Sequence, residues 1–484
     1  MTVRFTTTPF AEACFLSIRR VLLLIFAVPL LFVGCGKSEA KFVTSKETPK
    51  LYVGAEGAVK NALTEHFGTP QDLVAWMNLP IDYGQYTGAV SSGSGEGSNR
   101  IEVTLDAGSA ENARTDRPLT SEDLTGMGLL WDSGKYVGVS DGEGNLLNFS
   151  VLNYEPTGEN SLSGTLTLNI KLDSPPAPGD KFILVGNVFQ QGRRLYMEHC
   201  MHCHGVSGDG NGPTASYLSP RPRDYRLGKF KFTSTQQIDK ASRDDLKRIV
   251  RNGIPGTYMP SFLLLKDDEL KAIIEYVRWL AIRGEFEKIL VDGLAIQGEF
   301  TKERVKVREG DGEDIEQAFK DYLDEEFVDG DFGINTAVAV LEEQWKRSEE
   351  SGSIVRPTVK RVLPNVDTKS IARGRALFLS GDTKCVSCHG TTGRGDGPNT
   401  TGYQKYADGT EYPEPGVFDD WGNKIKPRDL TRGIYRGGRR PVDLYRRIYA
   451  GIKGTPMPAF GKSLSEEQIW DIVNYVLNRP YENQ

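Results

Sequence analysis

Cys200-Met201-His202-Cys203-His204 and Cys385-Val386-Ser387-Cys388-His389 are two copies of one pattern, Cys-x-x-Cys-His. Two cysteines three apart lie on about one helical turn, so each can add to a vinyl group of a porphyrin. The histidine that follows then lies beneath the iron as an axial nitrogen donor. A redox dithiol or a zinc site is the competing chemistry. No second Cys or His pair exists to complete tetrahedral zinc, because the only other cysteines are Cys14 and Cys35. The spacing therefore points to two covalently bound c-type haems.

The surroundings of the motif repeat with it. A glycine-rich stretch follows each copy, and Pro213 and Pro398 each lie nine residues beyond their histidine. Pro222-Arg223-Asp224 matches Pro427-Arg428-Asp429. Residues 245–262 align without a gap on 443–460, and Gly253, Ile254, Gly256, Thr257, Met259 and Pro260 recur as Gly451, Ile452, Gly454, Thr455, Met457 and Pro458. Helical periodicity precedes the motifs at 188–200 and 367–379 and closes each copy at 267–280 and 465–477.

This order resembles the class I cytochrome c domain over residues 187–285 and 368–484. The resemblance implies a mainly α fold in each copy, with the last helix crossing the first. Gly192 and Gly374 stand where two helices would approach closely. It implies Met259 and Met457 as the axial ligands opposite His204 and His389. It assigns the carbonyls of Pro213 and Pro398 to the second ring nitrogen of those histidines, since metal-bound histidines generally need such a partner. The remaining methionines fit that role poorly. Met197 and Met201 are too near their cysteines, Met77 and Met127 lie in another region, and Met1 is lost with a signal segment. His199 and His202 are expected to point away from the iron by adjacency, and His66 to be structural, so paired histidine ligation is not expected.

Arg19 and Arg20 precede an uncharged run of thirteen residues, Val21 to Val33, interrupted by Pro29. A bilayer span needs about 20 apolar residues, so the run suits a signal-peptide core instead. It closes Leu31-Phe32-Val33-Gly34-Cys35, which resembles the bacterial lipobox with Phe32 in place of the usual Leu. The resemblance implies export, removal of residues 1–34, and lipid on Cys35. An ordinary cleaved signal or an uncleaved anchor is the alternative. The four haem-motif cysteines leave no thiol for a disulfide in such a mature chain.

The 484 residues exceed one hydrophobic core, and a net charge of -6 gives no nucleic-acid footprint. The expected fold is multi-domain. It has a signal at 1–34, a tether at 35–49, a β-rich sandwich or meander at 50–185, cytochrome c domains at 187–285 and 367–484, and an acidic, partly helical linker at 286–366. Strand-like alternation covers 101–105, 135–139, 146–154, 162–172 and 181–185, with helices at 58–67 and 72–77 and a flexible turn at 92–97. The β-rich segment carries no catalytic constellation and reads as a folding or docking module. Helices are expected at 315–326 and 337–350 within the linker.

Arg432, Arg436, Arg439, Arg440, Arg446 and Arg447 crowd the second copy. They are expected either as a basic rim that binds haem propionates and steers an acidic partner, or as a solvated face. Two six-coordinate irons would leave no open position for substrate, and Met ligation raises the potential. The expected function is therefore electron transfer between respiratory redox partners on the periplasmic side of a membrane, with the chain as a shuttle or as a subunit of an oxidase or dehydrogenase complex. A dihaem peroxidase, a thiosulfate-oxidising enzyme, and a docking subunit are the alternatives.

Overall fold

A computed structural model describes residues 2–6, 40–92, 97–106, 118–131, 149–157, 161–172, 176–363, 367–405 and 409–482. Cys35, the apolar run before it, the expected strand at 135–139 and most of the turn at 92–97 lie outside the described residues. No helix among the described residues is long and apolar enough to cross a membrane.

The N-terminal third comprises β1 (Thr2–Thr6), α1 (Val53–Phe67), β2 (Asp72–Trp76), β3 (Gln85–Ser92), β4 (Arg100–Leu105), a single turn α2 (Ser121–Leu124), β5 (Gly128–Trp131), β6 (Phe149–Thr157), β7 (Ser163–Leu168) and β8 (Lys181–Val185). Alternation decides which faces are buried. Ile101, Val103 and Leu105 of β4 point inward, as do Leu166 and Leu168 of β7, while the residues between them stay wetter. The region is strand-rich as expected, but it is neither sandwich nor open meander. The order β3-β4-β7-β6-β5-β8 closes into a barrel, because β8 pairs with both β3 and β5 and so leaves no free edge.

The helix expected at 72–77 is instead strand β2, antiparallel to β1. Its Leu73, Val74, Ala75 and Trp76 are all buried, so no periodicity separates helix from strand, and Gly68 at φ 73° ends α1 just before it. Removal of a signal peptide would take β1 away.

The first helical region contains α3 (Asn187–His199), α4 (Met201–His204), α5 (Arg243–Asn252) and α6 (Asp267–Asp292). α6 runs twelve residues past the end suggested at 280, since Ala281, Ile282, Phe286, Leu290 and Val291 continue its buried surface. α1 packs here rather than in the barrel: Phe67 lies 5.5 Å from Trp279 and 5.4 Å from Phe286, ring to ring. His66 is structural, stacked 4.1 Å from Trp76.

The acidic segment is helical, as α7 (Lys302–Gly310), α8 (Ile315–Glu325) and α9 (Ile334–Arg347), and it is docked on the first helical region. Fully buried Trp345 donates to Glu285 Oε2 at 2.9 Å. Buried Glu275 ties three elements together, accepting from Arg243 Nε at 2.5 Å and from the Asp82 amide at 2.9 Å. The second helical region follows with α10 (Thr368–Leu379), α11 (Cys385–His389), α12 (Pro441–Ala450) and α13 (Glu466–Asn478). Serine caps start α5 and α13: Ser242 accepts from the Asp245 amide, and Ser465 from that of Gln468.

In both regions the last helix crosses the first at a glycine. A methyl on Gly192 would lie 2.1 Å from the Ala272 carbonyl oxygen, and one on Gly374 would lie 1.9 Å from that of Asp471. Backbone meets backbone, so only glycine fits. The second crossing is pinned by Arg373, whose Nε donates to Asp471 Oδ2 at 2.7 Å.

Candidate functional site

α11 is the second pentapeptide itself, and α4 holds the last four residues of the first with Cys200 as its N-cap, each following a longer helix. The glycine stretch then turns back under its histidine. Gly205 and Gly390 adopt φ 76° and 74°, and the amides of Gly210 and Gly395 donate to the carbonyls of His204 and His389 at 2.9 Å. This fold-back leaves room for the Pro-Arg-Asp segment to run alongside the imidazole.

His204 Nδ1 lies 3.1 Å from the Arg223 carbonyl oxygen, and His389 Nδ1 lies 3.3 Å from that of Arg428. A carbonyl only accepts, so Nδ1 carries the proton and Nε2 is the free donor atom. The expected acceptors, Pro213 and Pro398, do not play this part. Both prolines are exposed, and the Pro398 carbonyl is engaged by the Thr401 amide at 3.1 Å. The repeated Pro-Arg-Asp element was the signal that could have found the true acceptors. Burial pushes His204 down to about 4 and lowers His389 as well, so both rings are neutral near pH 7, the form that ligates metal. Burial also pushes the Cys200 thiol up to about 12.

The Met-Pro loops superpose in their bonding. Gly253 and Gly451 turn the chain at φ 65° and 71°. The Ile254 amide donates to the Met259 carbonyl and the Ile452 amide to that of Met457, both at 3.2 Å. Thr257 and Thr455 cross-brace the turns through hydroxyl donation to Ile254 and Ile452 at 2.8 and 2.7 Å. Each methionine is thereby presented to a cavity.

A cavity of about 300 Å³ is bordered by Cys200, Cys203, His204 and Met259. Its counterpart of about 420 Å³ is bordered by Cys385, Cys388, His389 and Met457. Their remaining walls are mainly apolar, with Ile274 and Val277 in the first and Ile472 and Val476 in the second. His199 and His202 also border the first cavity, with His202 exposed. Among the six clustered arginines, Arg436 and Arg447 border the second. The others are turned elsewhere or paired: Arg440 with Asp443 at 2.8 Å, Arg446 Nε with the Val355 carbonyl at 3.0 Å, and Arg439 with the Tyr481 hydroxyl at 3.0 Å.

The two cavities share lining residues, and a polar seam joins the two helical regions. The Arg223 guanidinium sits 3.8 Å over the Trp421 ring. Reciprocally, Arg428 packs on Gly256, where a methyl would lie 3.0 Å from its Nη2. Arg248 bridges the regions, donating to the carbonyls of Phe232 and Gly437 at 3.1 Å each. Lys453 donates to Thr235 Oγ1 at 2.9 Å.

No curated protein sequence matches the chain. A chain of the Kuenenia stuttgartiensis reducing HAO-like protein complex is similar in structure, at 23% identity and a TM-score of 0.41, covering 60% of this chain and 96% of that one. Residues 189–281 and 371–480 each match the family model described as cytochrome c. With the two motif-bearing cavities falling inside those spans, the chain holds two cytochrome c domains, the domain type that carries haem c.

Proposed function

We propose that this chain is an exported, lipid-anchored dihaem cytochrome that passes electrons between respiratory redox partners. The observation that carries the reading is the twofold cavity, each copy lined by a Cys-x-x-Cys-His motif and a braced methionine. Cys200 and Cys203, and Cys385 and Cys388, would hold haem c through thioether links. His204 with Met259, and His389 with Met457, would supply axial nitrogen and sulfur.

The residues fit that group. The donor pair is a neutral imidazole with a free Nε2 and a thioether, and the walls are mainly apolar. Arg436 Nε is buried with no hydrogen-bond partner among the described residues, as suits a wall that meets an acidic group. When bound, haem supplies a one-electron couple; the chain supplies ligation, burial and a docking surface. Two occupied axial positions favour electron transfer over substrate turnover. Membrane attachment through Cys35 and partner proteins on the periplasmic side complete the reading, although one lipid chain alone binds a bilayer weakly.

Intact-mass analysis of the exported protein tests it. The mature chain plus two haems is expected, falling to one haem in Cys385→Ala/Cys388→Ala. A product with no thioether-bound haem would overturn the proposal.

A further inference from the structure

Lys231, Phe232 and Arg436 border both cavities. They come from different domains, Lys231 and Phe232 from the first and Arg436 from the second. The wall they make is fixed in place. A methyl on Gly437 would lie 2.4 Å from the Phe232 ring, so the ring rests on the backbone beside Arg436. Arg248 clamps the carbonyls on either side of that contact. Arg436 Nε is buried without a partner among the described residues, and the nearest acid to Lys231 is Asp419, at a long 3.8 Å. Two cations with unspent capacity thus stand in one partition.

We propose that Lys231 and Arg436 form a shared cationic partition that binds the carboxylates of both cofactors, so that one side chain sets the electron affinity of both cavities. This rests on the reading that each cavity holds a haem. A positive charge between two redox centres stabilises the electron-rich state of each, and in a partly buried wall that effect is weakly screened by water. A residue of one domain therefore acts in trans on the other. Phe232 would be the apolar filler between the two cations.

Arg436→Gln and Lys231→Gln in the full-length holoprotein test this by spectroelectrochemical titration, after the haem count has been taken by mass. Each single substitution is expected to lower both midpoint potentials, and Arg436→Lys to recover part of the fall. Arg432→Gln, exposed and bordering neither cavity, is expected to leave both unchanged. Movement of one potential alone, or of neither, would overturn the shared partition. If Arg436→Gln fails to load haem, Lys231→Gln carries the test from the other domain. A wild-type product without haem overturns the functional reading itself, and the count taken first tells that failure apart.

Discussion

The guanidinium of Arg223 lies 3.8 Å over the ring of Trp421, and the two residues belong to different cytochrome c domains. The carbonyl of the same Arg223 receives the Nδ1 proton of His204. The second domain thereby helps to hold the first domain's histidine. Burial pushes Arg223 down to about 10, opposed by Asp419, Asp224 and Asp420, so acids of both domains hold its charge.

Trp421→Ala is expected to cost about 0.5–2 kcal/mol, the span from an exposed to a desolvated cation–π contact. It should also shift the paramagnetic NMR resonances of the axial histidine in the first domain. Trp421→Phe should keep most of both. Resonance changes confined to the second domain would contradict the coupling.

Met259→Ala and Met457→Ala are expected to keep both haems, because under the proposed function the covalent links would come from Cys200, Cys203, Cys385 and Cys388 and not from methionine. Each should lower one midpoint potential and remove half of the absorption band of sulfur-ligated ferric iron, and the double variant all of it. Optical spectra of the oxidised proteins decide this.

Gly192→Ala and Gly374→Ala force a methyl against a backbone carbonyl that cannot rotate away. Each should destabilise its own domain by about 1–3 kcal/mol or more, as overpacked interiors do. Denaturant unfolding followed separately at the two haem bands would resolve which domain weakens.

Lys453 is held by burial at about 8, below its usual 10.5, although Asp245 and Asp239 pull the other way. Between those two values the unfolded chain binds more protons at this site than the folded one, so stability rises with pH. Below about pH 8 both states are protonated and the burial penalty is fully present. Unfolding curves should therefore show wild type gaining on Lys453→Met as pH is raised from about 7 to about 10. A constant difference would rule the account out.

What the sequence disclosed follows from the range of the interactions involved. Thioether chemistry needs two cysteines on one turn, so Cys200, Cys203, Cys385 and Cys388 declare themselves locally. The braced Met259 and Met457 turns were legible because one domain repeats the other. Arg223 and Arg428 were visible as a repeated tripeptide, but their carbonyl role depends on a fold-back made by distant glycines. Barrel closure through β8 was hidden for a similar reason: pairing with β3 across 100 residues leaves no local mark. β2 was mistaken for a helix because all four of its apolar residues are buried. The shared wall of Lys231, Phe232 and Arg436 exists only once two domains are docked.

The chain is secured from Phe42 onward. Val43 donates its amide to Ser207 Oγ at 2.6 Å, the Thr44 carbonyl accepts from Arg226 at 3.0 Å, and Phe42 lies under Arg283 at 4.5 Å. Seven residues from a lipidated Cys35 to Phe42 reach about 25 Å at full stretch. Such a leash would keep the first cytochrome c domain hugging the bilayer and let it swivel little. A donor or acceptor would then have to present its redox centre close to the lipid headgroups, and freely diffusing shuttles that roam the bulk compartment would be the poorer geometric match.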